Sequence, residues 1–291
     1  MLKPARYVEL GEGALRCRAC LFQCFLMPGE KGKCGVRANI GGEIHLTTYG
    51  LLSEVKALSW SFLPVCSVKL RWLFVGVVGC NLRCMCCGCS EFAFDAPYPL
   101  HRCVHLYPEE LVERAISSEC QGLYFDCGEP FCSVEYLEDV AHMAKSRGLK
   151  VAVHTNATFS LQVIDRVAGL LDLMVVDIKA YSEAVFKSIT GSYSARKVLE
   201  AVEYAYGKGV PLEIVTPVVF GVNDGVFEVR SIARWISQRL SPHVPWHLVP
   251  WLRDSKTLSL TASEKLISIM DVGVEEGLRR VIIHQGGILN G

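Results

Sequence analysis

The sequence has no excess of either charge: 30 Lys and Arg face 30 Asp and Glu. Such a chain offers no field of one sign to hold a polyanion or an anionic membrane, so nucleic acid is not an expected partner. Its first residues, Met1 to Gly13, lack the apolar run of a secretory signal, and no stretch reaches the uninterrupted apolar length of a membrane span. The expected location is the cytoplasm, with no membrane partner. Internal repeats and low-complexity tracts are also missing, which argues against a solenoid. What the chain does have is apolar residues, 51% of 291, and 14 cysteines. That length and hydrophobicity can bury a barrel-sized core plus a small module.

In a small exported protein so many cysteines predict a disulfide framework, but here size and the missing export signal predict thiolates used as ligands. They gather in two tight groups. Cys17, Cys20, Cys24 and Cys34 form the first, and Cys80, Cys84 and Cys87 the second, with Cys86 and Cys89 interleaved. Cys66, Cys103, Cys120, Cys127 and Cys132 are scattered.

The chain divides where the cysteine-rich beginning gives way to alternating strand and helix patterns, which predicts a metal-binding module over residues 1–64 and a core domain over 65–291. From Arg71 onward, short β-branched and apolar runs alternate with helical patterns, the signature of an α/β fold with a parallel sheet. Six strands are predicted: Trp72 to Val78, Gly122 to Asp126, Leu149 to His154, Leu171 to Asp177, Leu212 to Val218 and Trp246 to Val249. Arg280 to His284 is a candidate for one more. Helices are predicted from Pro108, with acids in the first turn, and over Val134 to Ser146, Leu161 to Gly169, Ala195 to Tyr206 and Val226 to Leu240.

The strongest motif is Gly79-Cys80-Asn81-Leu82-Arg83-Cys84-Met85-Cys86-Cys87, placed directly after the first core strand. A four-iron cluster normally takes four cysteines, so a compact triad leaves one iron open to a further ligand. A zinc site with a distant fourth ligand is the alternative. The second strand runs into Asp126-Cys127-Gly128-Glu129-Pro130, the third ends in His154-Thr155-Asn156 and the fourth in Asp177-Ile178-Lys179. Asp177 and Lys179, two residues apart, share one strand face and can reach one ligand. Thr155 and Asn156 equally suit a helix cap. Thr216-Pro217 with Gly221-Val222-Asn223-Asp224 follows the fifth strand. Every motif lies at the C-terminal end of a predicted parallel strand, the end where βα barrels build their active sites.

The Cys-x3-Cys-x2-Cys loop resembles the signature of the radical S-adenosylmethionine (SAM) superfamily. Cys17-x2-Cys20-x3-Cys24 with Gly32-Lys33-Cys34-Gly35-Val36-Arg37-Ala38-Asn39, Tyr49-Gly50 and Phe62-Leu63-Pro64 resembles the radical SAM component of the AmmeMemoRadiSam system, grouped with pyruvate formate-lyase activating enzymes. The resemblance implies a partial (β/α)6 TIM-like barrel with a small Cys-rich N-terminal module. It implies a 4Fe-4S cluster on Cys80, Cys84 and Cys87, and SAM held by Gly128, Glu129, Asp177 and Lys179, with the Glu129 carboxylate on the SAM ammonium. Cys86 stands where relatives carry an aromatic residue near the adenine, Gly88-Cys89 where they carry Gln-Asn, and Leu252 where a SAM-contacting histidine is expected. The chain stops soon after Ile282-Ile283-His284-Gln285-Gly286-Gly287, without the C-terminal cysteine pair of many relatives. Cys17, Cys20, Cys24 and Cys34 are read as ligands of a structural zinc or a second iron-sulfur cluster.

The implied activity is reductive cleavage of SAM to a 5′-deoxyadenosyl radical, followed by hydrogen abstraction from a protein glycine or a small substrate. A reducing donor such as ferredoxin or flavodoxin is then required. The alternative from another class is an iron-sulfur electron-transfer or metal-binding protein without SAM turnover.

Overall fold

The computed structural model describes residues 2–10, 14–94, 98–192, 194–252 and 259–284; Gln285-Gly286-Gly287 lie outside them. The N-terminal segment makes two small antiparallel sheets from short strands: β1 (Lys3–Pro4), β2 (Val8–Leu10), β3 (Leu15–Cys17), β4 (Phe25–Leu26), β5 (Arg37–Ile40) and β6 (Glu43–Leu46). One sheet has the order β1-β6-β5 and the other β2-β3-β4. β7 (Leu51–Ser59) lies on the N-terminal side of residue 64 yet pairs antiparallel with β8 (Arg71–Val77), in the main sheet.

The remainder alternates strand and helix: α1 (Ser90–Ala93), β9 (Val104–His105), α2 (Pro108–Ser117), β10 (Gly122–Asp126), α3 (Val134–Ser146), β11 (Lys150–Thr155), α4 (Leu161–Val167), β12 (Leu173–Asp177) and α5 (Glu183–Thr190). It continues through α6 (Ala195–Gly207), β13 (Leu212–Val218), α7 (Val226–Trp235), β14 (Trp246–Pro250), α8 (Leu260–Glu275) and β15 (Val281–Ile283). Of these, α1, β9, α5 and α8 are additional to the predicted elements. The sheet order is β15-β14-β13-β12-β11-β10-β8-β7-β9, and the strands from β8 through β15 on that side of β7 are parallel. Each parallel strand lies beside its predecessor. Right-handed crossovers therefore place every helix on the same face, and the sheet curls around the other face into a partial TIM-like barrel. Its strand segments, such as Leu123-Tyr124-Phe125 and Val151-Ala152-Val153, are apolar on both faces and buried throughout, as a helix-covered parallel strand requires.

Local signals explain the helix ends. The Tyr107 N–H donates to Glu110 at 2.7 Å at the start of α2, and Ser182 caps α5 by accepting from the Val185 N–H. Gly191, with a left-handed φ of 72°, ends α5.

The N-terminal segment is fastened to α3 by ion pairs. Arg37 and Glu135 are buried, and the guanidinium reaches both carboxylate oxygens while its Nε donates to the Cys132 carbonyl at 3.0 Å. Arg6 adds contacts to Glu138 and Asp139. Removing one partner of a buried pair leaves an uncompensated charge, which typically costs about 3–5 kcal/mol. Arg37→Ala is therefore expected to lower the unfolding free energy from urea titration by that amount, with a lower midpoint, and adding Glu135→Leu should restore much of it. A midpoint unchanged in Arg37→Ala would contradict this fastening.

Candidate active site at the strand ends

The loop after β8 begins with Gly79, whose φ of 86° and whose contact with Val36 leave no room for a side chain. Its far part is held by the end of α5, where the Ile189 and Thr190 carbonyls accept from the N–H groups of Met85 and Arg83 at 2.8 and 3.1 Å. Held in this way, Cys80, Cys84, Cys86 and Cys87 all line one cavity, shared with Gly128, Asp177 and Lys179. Burial pushes the Cys80 thiol up to about 12 and the Cys86 thiol up to about 11.

The loop after β10 packs directly on the cysteine loop. Gly128 has a φ of 57°, and a Cβ there would stand 2.7 Å from the Gly79 carbonyl oxygen and 2.8 Å from that of Val77. Cys127 also adopts a left-handed φ, 55°, at the place where a glycine would meet no penalty. Cys127 is joined to Cys89 by a disulfide. Neither of these cysteines belongs to the ligand sets expected from the sequence. Thirty-eight residues separate the two in sequence, and only the fold brings their Cα atoms to 5.9 Å.

Charges of alternating sign run across the ends of β10, β11 and β12. His154 Nδ1 lies 3.1 Å from Asp126 Oδ2, its Nε2 lies 3.0 Å from Asp177 Oδ1, and Lys179 Nζ donates to Asp177 Oδ2 at 2.7 Å. Burial opposes charging the imidazole, but the two flanking carboxylates outweigh it and lift His154 to about 10. Burial also works against the Asp177 carboxylate, and Lys179 and His154 overcome it to hold the group well below the usual range. Asp177 in turn keeps Lys179 protonated against the effect of its burial. His154 belongs to the strand-end motif His154-Thr155-Asn156, but its link between the two carboxylates comes only from the fold.

Glu129 follows Gly128 in the loop after β10. It is 1% exposed and is not among the residues lining the cavity. Its carboxylate accepts from the Phe131 N–H at 3.1 Å, the Thr155 hydroxyl at 2.7 Å and the Asn156 N–H at 2.8 Å. Burial raises this carboxyl to about 7 against those hydrogen bonds. Thr155 and Asn156 do line the cavity, and Asn156 Nδ2 also reaches Cys80 Sγ at 3.5 Å. Pro217 lines it as well, whereas Thr216 donates to the Ile178 carbonyl and Asn223 donates to the Lys179 and Pro217 carbonyls, bracing the loops from behind. Leu252 is half-buried and stands outside the cavity lining.

Cys17, Cys20, Cys24 and Cys34 come together around a second, smaller cavity, with Cys132 as an additional wall. A hydrogen bond with the Cys132 thiol lowers the Cys34 thiol, helped by the nearby Arg37 guanidinium, while the same hydrogen bond and burial raise Cys132. No spacing rule connects Cys132 to this group. It arrives there because the turn after Pro130 faces the N-terminal segment. The two cysteine sites are also close neighbours: Cys20 bridges to Phe159, its thiol meets the Asn81 side chain, and Asn81 adjoins Cys80.

The sequence matches the radical SAM superfamily over residues 75–231, more than half of the chain. The chain belongs to the radical SAM superfamily. A radical SAM enzyme of this kind uses a 4Fe-4S cluster and SAM. Among relatives, an uncharacterized protein of Methanocaldococcus jannaschii is 27% identical over 289 residues, covering 95% of this chain and 83% of that protein. The isethionate sulfite-lyase activating enzyme of Desulfovibrio desulfuricans is 30% identical over 137 residues, 45% of this chain and 42% of that enzyme. The chain thus aligns with less than half the length of that activating enzyme. In fold, a radical SAM methyltransferase from Sphaerobacter thermophilus superposes with a TM-score of 0.56 at 15% identity, covering 97% of this chain and 76% of that one. Among the described residues no helix is long and apolar enough to cross a membrane.

The residues present fit the superfamily's cofactors, because the cavity joins three triad thiols to a strip of paired charges and a close-approach glycine. His154 also gives a test of the charge strip. Its folded value of about 10 exceeds the unfolded value of about 6.5, so its contribution to stability is complete below the latter and is lost as pH rises through the former. The stability gap between wild type and His154→Gln, measured by urea unfolding, should narrow as pH is raised from about 6.5 to about 10. A gap that widens would contradict the assignment.

Proposed function

We propose that this enzyme cleaves SAM reductively and uses the product radical to abstract a hydrogen atom from a protein partner, as an activating enzyme does. The observation that carries the proposal is the single cavity in which Cys80, Cys84 and Cys87 meet Gly128, Asp177 and Lys179. These three cysteines would hold the 4Fe-4S cluster, leaving one iron for SAM. When bound, the reduced cluster supplies the electron that splits SAM into methionine and a 5′-deoxyadenosyl radical.

The protein's part is binding, orientation and exclusion of water. Lys179, kept cationic by Asp177, offers a partner for the SAM carboxylate; Asp126 and Asp177 offer anionic partners for the ammonium. Gly128 lets the backbone approach closely. Glu129 serves as a positioning residue that fixes Thr155 and Asn156 through its carboxylate and the Gly79 carbonyl through its N–H. Cys86 presents a small thiol on the wall assigned to the adenine. The likeness to an activating enzyme supports a protein substrate. The open sheet supports it too: among the described residues, the outer edge of β15 pairs with no strand, leaving a lateral gap for a partner's loop. Ferredoxin or flavodoxin is the proposed donor. Cys17, Cys20, Cys24 and Cys34 are proposed as ligands of a zinc ion or an auxiliary iron-sulfur cluster.

Anaerobic reconstitution with iron and sulfide, dithionite reduction and chromatography should yield 5′-deoxyadenosine from wild type and none from Cys84→Ala. No product from a wild-type chain holding a reducible cluster would overturn the proposal in favour of an electron-transfer role. Hydrogen bonds to charged groups contribute about 1.5–3 kcal/mol, so Lys179→Ala should weaken SAM binding by roughly 10- to 100-fold in equilibrium dialysis. Unchanged affinity would remove Lys179 from the pocket.

A further inference from the structure

The opposite end of the barrel holds a second constellation that SAM chemistry does not use. Glu213, Val215 and Pro217 share one face of β13. Pro217 lines the SAM-side cavity, so Glu213 occupies the same interior at the N-terminal end of the strand. Glu213 is fully buried and His247, the second residue of β14, is 1% exposed. A Cys66 Sγ, a Glu213 carboxylate oxygen and a His247 ring nitrogen all lie within 4.8 Å of one another. The donors come from three separate segments: the loop before β8, β13 and β14.

We propose that Cys66, Glu213 and His247 bind a divalent transition-metal ion of the zinc class, with His284 positioning His247. Thiolate, imidazole and carboxylate together are the donor types that suit zinc, and two anionic ligands neutralise its charge. The surroundings are built to aim these donors. The N–H groups of Cys66 and Ser67 donate to the Glu213 carboxylate at 2.9 and 2.8 Å, fixing it in the loop's concavity. His247 Nε2 lies 2.6 Å from Glu213 Oε2, and His247 Nδ1 lies 2.9 Å from His284 Nε2. With Nε2 on the metal, Nδ1–H donates to His284, the outer hydrogen bond that fixes the tautomer of a ligating histidine. Cys66 is half-buried and gives the ion a way in from solvent. Such an ion would tie the loop ahead of the first barrel strand to the last strands of the sheet. The competing arrangement is a Glu213–His247 ion pair with Cys66 as a bystander thiol.

The test uses full-length protein and zinc itself. Crystals grown with zinc chloride, measured on both sides of the zinc absorption edge, should show an anomalous peak bounded by Cys66, Glu213 and His247. In solution, competition with a chromophoric chelator should show one equivalent of zinc lost in Cys66→Ser but kept when Cys17 and Cys20 are both changed to serine. His284→Ala should weaken that equivalent by about 10- to 100-fold without abolishing it. Because Cys66 is half-buried, its serine variant keeps the fold, and matching unfolding curves confirm that. No anomalous peak at this position, together with equal zinc stoichiometry in wild type and Cys66→Ser, would overturn the site in favour of the ion pair.

Discussion

The site depends on one buried carboxylate. Glu129 lies beneath the cavity and accepts from the backbone of its own loop, from the Thr155 hydroxyl and from the Asn156 N–H. A carboxylate taken out of water must be compensated by donors, so these groups cannot drift independently. Its own N–H donates to the Gly79 carbonyl at 2.8 Å. The loop after β10, the end of β11 and the start of the cysteine loop thereby become one unit. Asn156 extends the unit to Cys80 and, through Asn81 and Thr158, toward the N-terminal cysteines. The residue expected to hold a ligand also holds residues that face the cavity.

A second constraint follows from the barrel. Neighbouring parallel strand ends bring the Asp126, His154 and Asp177 side chains within hydrogen-bond reach, and their charges satisfy one another in alternation. Lys179 completes the strip. Its charges are paired within the protein but remain on the cavity wall, where a zwitterionic ligand can share them. The N-terminal segment closes this end of the molecule, clamped to α3 by Arg37 and Glu135. Its cysteine pocket contacts the loop that carries Glu129, because Cys132 stands three residues after it.

Much of this was legible in the sequence where covalent spacing or unbroken apolar runs carry the signal. Gly122 to Asp126 and Leu212 to Val218 are strands with the predicted limits, and the triad cysteines share one cavity because a short loop allows little else. What was not legible depends on distance in the chain. β7 belongs to the main sheet through pairing with β8, a tertiary choice that its mixed residues do not announce. The Cys89–Cys127 disulfide, the arrival of Cys132 beside Cys34, and the inward aim of Glu129 all arise from loops meeting across the barrel mouth. Glu213 and His247 reside in strands whose apolar neighbours mask them.

The central claim is that SAM sits in the cavity shared by the triad cysteines and the strand-end charges. Electron–nuclear double resonance on the reduced protein, with SAM carrying a nitrogen-15 amino group, tests it most directly. The account predicts a hyperfine coupling between that nitrogen and the cluster in wild type, diminished in Asp177→Ala. A reduced cluster whose spectrum shows no coupling to the labelled nitrogen would contradict it.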